Sequence, residues 1–287
     1  MTDIVAAAAP TADPVGAGAG AGRSAAGVTE SVRRILAVTR HEMRILRRDP
    51  APFIVLVFMP LLIVTFLKPA FASILAQEGY RFANGSEQAI PGITVMFSFF
   101  VVAIGGMMLY REHGWGTWDR LRASGARTGE VVVGKLLPLV LLLLVQFVLV
   151  FTAGWAFFGF RFRGSVLGAV LVWAGLAACL LALTAMMFAL CRSDQQMVAL
   201  VNVTTMLFGG LGGGLVPVAS LPSWARHLSP ATPSYWAISG FRSIALDHVG
   251  AGAQLRPTAV LLGFAAVFAV VCALRLRAGD RKGSRGY

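Results

Sequence analysis

Residues 136–158 read LLPLVLLLLVQFVLVFTAGWAFF, and this stretch decides the fold of the chain. It carries no charged side chain, and a helix of this length reaches across the ~30 Å hydrocarbon core of a bilayer. Hydrophobic residues make up 57% of the 287 residues, charged residues 13%, and the mean hydropathy is +0.73. Soluble domains average about 45–50% apolar and about 25% charged residues. We therefore expect an all-α membrane protein.

Apolar runs of this kind recur along the chain and predict six transmembrane helices. The first has to continue past Lys68 to be long enough, and Pro60 is expected to kink it. The predicted spans are about 53–74, 90–110, 136–158, 166–190, 196–218 and 258–274.

The segments outside the spans differ in composition. Residues 1–28 are rich in Ala and Gly and are predicted to be disordered. Residues 29–49 place six arginines on an arc of roughly 140° opposite an apolar stripe, with Thr29 as the expected N-cap. This pattern predicts an amphipathic helix in the cytoplasmic headgroup layer. Residues 50–277 form the transmembrane domain, and residues 278–287 form a basic cytoplasmic tail.

The distribution of positive charge predicts the orientation. With six spans, 18 of the 25 Lys and Arg residues fall on the side that holds both termini. Because cytoplasmic loops carry an excess of Lys and Arg, both termini are expected in the cytoplasm. The net charge of +12 is then explained by these loops and by anionic membrane lipids rather than by nucleic acid.

Residues 219–257 are too apolar for a solvated loop, and several prolines divide them into pieces too short to span. Trp224 and Trp236 suit the membrane interface. We expect a re-entrant helical hairpin of two short helices between the fifth and sixth spans. A lid packed over the bundle fits the same residues, and the two interpretations are compatible.

The sequence offers no catalytic or metal-binding constellation. Residues 129–135 read GEVVVGK, but Leu136 stands where a phosphate-binding loop needs Ser or Thr. The four histidines lack metal-ligand spacing, and no carboxylate lies at the centre of a predicted span. We expect no catalytic residue, no bound metal and no cofactor on this chain. The glycine-rich run at residues 209–214 is expected to serve close helix packing, with a hinge as the alternative.

The loop after the second span and the start of the third contain Glu112, Gly116, Thr117, Leu121, Ser124, Gly134 and Lys135. This pattern resembles the type 2 class of ABC export permeases. Drug-resistance exporters of the daunorubicin type are most similar, and polysaccharide and lipid exporters share the pattern. Gly125 departs from the family, which often has Pro there. Further matches follow at Leu221, Pro222, Trp224, Pro230, Pro233, Tyr235 and Arg242.

This resemblance implies a permease subunit that works with a second permease copy or homologue and with cytoplasmic ATPase subunits, which would bind ATP and Mg. The implied ATPase-coupling residues are Glu112, Gly116, Thr117, Arg120, Leu121, Ser124 and Arg192. The expected activity is export of an amphipathic drug, antibiotic or lipid-like molecule across the bacterial inner membrane. A secondary carrier and a non-transporting membrane assembly protein are the alternatives.

A path for the substrate is expected between two permeases, because six helices pack into a solid bundle. The predicted lining residues are Phe66, Phe99, Asn202, Thr205 and Phe208. In the alternative interpretation, Asn202 and Thr205 only form hydrogen bonds with neighbouring helices.

Overall fold

The computed structural model describes residues 19–114, 128–191, 193–247 and 249–283, and all regular secondary structure in these ranges is helical. The helices are α1 Ala19–Leu46, α2 Ala51–Gln77, α3 Ser86–Ser98, α4 Phe100–Gly114, α5 Thr128–Phe158, α6 Val166–Leu190, α7 Asp194–Leu211, α8 Ser223–Leu228, α9 Pro233–Leu246 and α10 Leu255–Gly283. The all-α prediction is confirmed.

Five segments within the described residues are long and apolar enough to cross a membrane. They are Ala51–Gln77, Ser86–Leu109, Val132–Phe158, Val166–Leu190 and Ala251–Arg275. The chain is therefore a multi-pass membrane protein. The predicted span 166–190 has the bounds of α6, and the first three segments begin and end within four residues of their predictions. The last segment begins at Ala251, seven residues before the predicted start at 258, and ends one residue after the predicted end.

The predicted fifth span, 196–218, differs most from the structure. Helix α7 ends at Leu211, because Gly213 adopts a φ of +90° and Pro217 follows. Its first turn is polar, which lowers its hydropathy below that of the five crossing segments. By length and composition, the structure supports five crossings, and the sixth crossing stays a prediction.

The first two crossings contain irregular turns. Residues Ile54–Phe58 form a π-helical turn that ends two residues before Pro60. This wider turn is how the helix accommodates a proline, whose ring conflicts with the carbonyl four residues earlier. The second crossing is interrupted at Phe99, where Phe99 N–H bonds to Met96 O and Val102 N–H bonds to Phe99 O. These hydrogen bonds to the residue three positions earlier, typical of a 3₁₀ turn, replace the regular α-helical bonds to the residue four positions earlier.

Helix α1 starts earlier than expected. It begins at Ala19, so residues 19–28 are helical where disorder was predicted, and Thr29 lies inside the helix instead of capping it. Alanine has the highest helix propensity, which explains a helix in this Ala-rich segment. The helix ends at Leu46, before Pro50.

Helix α3 lies at the centre of the bundle. All 13 of its residues are buried, and it contacts α2, α5, α7 and α9. The last crossing is the least buried and packs mainly on α6. Only 11% of its most apolar 18-residue stretch is buried inside the protein, against 78% for the second crossing. The second crossing is therefore the core of the fold, and the last one is peripheral in the single chain.

The hairpin region packs against this centre. Helix α9 contacts α3, α6 and α10, and its Phe241 is fully buried. Trp236 Nε1–H donates to Pro230 O at 2.8 Å, while Trp224 remains 64% exposed. These contacts support the lid interpretation, and the depth of the hairpin in the bilayer stays a prediction.

Glycine permits the closest contact between α3 and the end of α7. A Cβ at Gly92 would lie 2.8 Å from the carbonyl oxygen of Gly214. The predicted packing role of Gly214 is thus confirmed. The same prediction fails for Gly210 within the described part of the single chain, because a Cβ there would meet none of its atoms within 4 Å.

We predict that Gly92→Ala lowers the stability of the protein by about 1–3 kcal/mol, because the added methyl group forces two backbones apart. Gly210→Ala is the matched control, and it should leave stability unchanged or raise it slightly, since alanine favours the helix. Thermal unfolding of both purified variants in detergent provides the measurement. Equal melting temperatures for the two variants would contradict the packing described here.

Candidate functional site

A buried ion pair joins three helices at the end of the bundle where α1 lies. Lys135 Nζ is 2.5 Å from Glu42 Oε1, and it also donates to Met108 O at 3.0 Å. The two side chains are 3% and 6% exposed. Glu42 belongs to α1, Met108 to α4 and Lys135 to α5, so one ammonium group connects all three.

The neighbouring residues bring α1 close enough for this pair. A Cβ at Gly134 would lie 2.9 Å from Val38 Cβ and 3.1 Å from Ile35 O, so the glycine lets α1 rest directly on α5. The Thr39 hydroxyl lies 2.9 Å from the carbonyl oxygens of Gly134 and Ile35. The adjacent Gly134 and Lys135 therefore provide close approach and a charge partner for the same helix.

The contacts of Lys135 with Glu42 and Met108 hold together the two helices that flank the predicted coupling loop. Helix α4 ends at Gly114 and α5 begins at Thr128, so Met108 and Lys135 lie just before and just after the loop. The coupling residues Gly116, Thr117, Arg120, Leu121, Ser124 and Arg192 lie outside the described residues. Glu112 lies in α4, but its side chain is outside the described part. Their role stays a prediction.

Sequence reasoning missed Glu42, although the sequence contains a signal for it. The apolar stripe of α1 includes Ile35, Thr39 and Leu46, and Glu42 falls three residues after Thr39 and four before Leu46. It therefore lies within the stripe and not on the arginine-rich face. A carboxylate in an apolar stripe requires a buried partner, since an isolated buried charge is very costly.

A polar network occupies the middle of the bundle. The Thr94 hydroxyl donates to Ile90 O at 2.6 Å, and the Ser98 hydroxyl donates to Thr94 O at 2.8 Å. Gln146 of α5 donates from Nε2 to Thr94 O, and its Oε1 lies 3.2 Å from Ser98 Oγ. Hydroxyl bonds to the carbonyl one turn earlier bend helices, which explains why the irregular turn follows at Phe99.

The structure divides the predicted path residues between two environments. Phe99 and Thr205 are each 1% exposed, and the Phe99 ring contacts Phe208 edge-on at 5.5 Å between centroids. Asn202 is exposed, and Phe66 is 74% exposed. Within one chain, therefore, only Phe99, Thr205 and Phe208 lie together, and the five residues do not form one continuous lining.

A second charged cluster lies at the opposite end of the bundle. Arg242 of α9 forms an ion pair with Glu78, and its guanidinium carbon lies 5.9 Å from the centroid of the Tyr80 ring. The Tyr80 hydroxyl donates to Asp247 Oδ1 at 2.8 Å. This hydrogen bond, together with partial burial and the negative charge of Asp247, raises the pKa of Tyr80 above its usual value. Sequence reasoning identified Arg242 but not its partners.

These features define a helical membrane protein with a charged junction at each end of an apolar bundle. The ABC-2 type transporter family matches residues 33–246, which is most of the chain. The chain belongs to this family, and the prediction of a type 2 ABC export permease is confirmed.

Two curated proteins illustrate the relationship. A probable doxorubicin resistance ABC transporter permease protein DrrC of Mycobacterium tuberculosis is 28% identical over 182 residues, covering 61% of this chain and 63% of that protein. ABC transporter G family member 20 of Dictyostelium discoideum is 29% identical over 164 residues, covering 56% of this chain and 22% of that protein. The chain thus spans less than two thirds of the length of either relative. No solved structure matches it at a significant level.

We predict that Glu42→Gln destabilises the protein by about 3–5 kcal/mol, because it leaves the buried Lys135 ammonium without a counter-charge. Glu30→Gln is the matched control on the same helix: Glu30 is 65% exposed in its pair with Arg34, and such a pair contributes about 0.2–0.5 kcal/mol. Thermal unfolding in detergent is the measurement.

A double variant separates loss of the charge pair from loss of packing. Glu42→Leu combined with Lys135→Met removes both charges and should recover much of the lost stability. If Glu42→Gln and Glu30→Gln unfold at the same temperature, the pair does not hold α1 on the bundle.

Proposed function

We propose that this chain is the permease subunit of an ATP-driven exporter that moves an amphipathic drug, antibiotic or lipid-like molecule out of the cytoplasm or the inner leaflet. Family membership carries the proposal. The doxorubicin resistance in the name of one relative supports a drug-like substrate. The predicted path residues carry aromatic rings, an amide and a hydroxyl but no charge, which suits a substrate without strong charge.

The complete exporter would contain two permeases and two ATPase subunits in a bacterial inner membrane. ATP and Mg would bind to the ATPase subunits, since the glycine-rich residues 129–135 are used differently here: Gly134 and Lys135 hold α1. The substrate path would lie between the two permeases. Phe66 and Asn202, which are exposed in the single chain, would then face it.

We also propose that α7 and the residues that follow it form a sixth crossing. A Cβ at Gly106 would contact Met197 near one end of α7, and a Cβ at Gly92 would contact Gly214 just beyond the other. Helix α7 therefore runs antiparallel to the whole second crossing. A sixth crossing returns the chain to the side of α1, which is consistent with both termini lying in the cytoplasm, where most of the basic residues are expected.

Coupling to ATP hydrolysis would pass through the buried ion pair. Because Lys135 is bonded to α1 and α4 as well as belonging to α5, a force on the loop between residues 114 and 128 acts on three helices together. α1 then moves with the loop. Nucleotide would shift the population of the permeases between closed and open arrangements through this contact.

We predict that Glu112→Ala leaves membrane insertion intact but reduces stimulation of the partner ATPase at least about tenfold, equivalent to ~1.4 kcal/mol of coupling free energy. Glu30→Ala is the control: Glu30 is an exposed residue of α1 outside the ion pair with Lys135, and its loss should leave the stimulation of the ATPase unchanged. The measurement is ATP hydrolysis and substrate export by the reconstituted complex. Normal export by the Glu112 variant would remove this loop from the mechanism.

The sixth crossing predicts that the two ends of α7 lie on opposite sides of the membrane. In a background with the three natural cysteines replaced, Ser193→Cys should resist a membrane-impermeant thiol reagent in intact cells, whereas Ser220→Cys should react. Both should react after the cells are opened. Reaction of both cysteines in intact cells, or of neither, would leave the chain with five crossings.

A further inference from the structure

An apolar groove lies on the membrane-facing side of α5 and α6, at the end away from α1. Its volume is about 740 Å³. Its rim includes exposed aliphatic and aromatic side chains, among them Val148, Trp155 and Val170, which are 51%, 68% and 51% exposed. The lining is apolar apart from Thr152, Arg161 and the indole N–H groups of Trp155 and Trp173. Neither α5 nor α6 contributes a residue to the predicted substrate path.

An aromatic cluster forms the floor of the groove. Phe151 stacks on Phe147 at 4.1 Å and on Phe162 at 5.2 Å between ring centroids, and it meets Phe160 edge-on at 5.3 Å. Phe160 and the neighbouring Phe241 are fully buried. A preformed apolar surface needs no rearrangement to receive a ligand, which lowers the entropic cost of binding.

One cation lies at the end of the groove. Arg161 follows the last residue of α5 by three positions and is exposed, and within the described part of the chain no carboxylate lies within 4.0 Å of it. The turn that carries it is anchored on both sides: Phe160 N–H donates to Gly154 O, and Gly164 N–H donates to Ile244 O, each at 3.0 Å. The guanidinium is thus attached to a well-defined segment.

The dimensions match one leaflet of a bilayer. Along α5 the groove extends from Leu144 to Trp155, which is about 16 Å of helix at 1.5 Å per residue. Half of a ~30 Å hydrocarbon core is about 15 Å. An acyl chain lying in the groove would therefore end near the middle of the membrane, while its headgroup would lie level with Arg161.

We propose that this groove, which we call the α5–α6 groove, binds an anionic phospholipid. The acyl chain packs on the phenylalanine floor, and the headgroup phosphate pairs with Arg161, a charge-assisted contact suited to a guanidinium. Helix α6 begins at Val166 in the wall of the groove, so the positive end of its dipole points toward the same headgroup. The site is distinct from the proposed substrate path and holds lipid in the resting protein.

Binding of dioleoyl-phosphatidylglycerol to the purified full chain, measured by native mass spectrometry against dioleoyl-phosphatidylcholine, tests the proposal. Arg161→Gln should weaken phosphatidylglycerol binding about fivefold, which converts to the ~1 kcal/mol typical of a basic residue near an anionic headgroup, and should leave phosphatidylcholine binding unchanged. Arg163→Gln is the matched control, because Arg163 lies in the same turn but lines a different cavity beside Glu87. It should change the affinity less than twofold.

A second variant tests the groove itself. Val170→Trp fills it from an exposed position and should weaken both lipids, whatever their charge. The proposal is overturned if Arg161→Gln and Arg163→Gln have equal effects, or if Val170→Trp leaves lipid binding unchanged. It is also overturned if Val170→Trp converts a dimer into monomers, because the groove would then be occupied by a second copy of the chain.

Discussion

The bundle depends on the complete burial of α3, because a helix surrounded by other helices is cut off from water and its polar groups depend on partners within the bundle. Thr94 and Ser98 bond to carbonyls of their own helix, Gln146 adds a bond from α5, and Gln88 donates to Gly213 O at 3.0 Å. Ser86 Oγ and Gln88 Oε1 are buried without a hydrogen-bond partner among the described residues, and apolar side chains and glycines fill the remaining contacts of the helix. The surrounding helices take their positions from this central one.

The composition and the apolar runs were sufficient to predict the all-α membrane fold and the approximate positions of its five long apolar segments. Local chemistry explains where the prediction failed. Gly213 and Pro217 end α7 earlier than its apolar residues suggest, and residues 19–28 are helical, which their alanine content favours. Hydropathy is averaged over many neighbouring residues. It therefore does not locate a helix end at a single residue with positive φ, and it does not distinguish a helical from a disordered Ala-rich segment.

The candidate site was predictable only in part. The family resemblance pointed to Gly134 and Lys135, but Glu42, the ion-pair partner of Lys135, is 93 residues away in sequence. Pairing over that distance depends on how α1 packs. Arg242 was identified in the same way, whereas Glu78 and Tyr80 were not, because loop residues carry no periodicity. Patterns in a sequence identify which residues are unusual, and the fold decides which of them meet.

The interruption at Phe99 has a mechanical consequence for the second crossing. The half before it, α3, is fastened to Gly213 and Gly214, whereas the half after it, α4, is fastened to the ammonium of Lys135. The hydrogen bonds between the two halves are irregular at Phe99. A rotation of α4 at the α1 end is therefore transmitted only in part to α3. The second crossing thus consists of two helices with a hinge at Phe99, and each helix is held by contacts at a different end of the bundle.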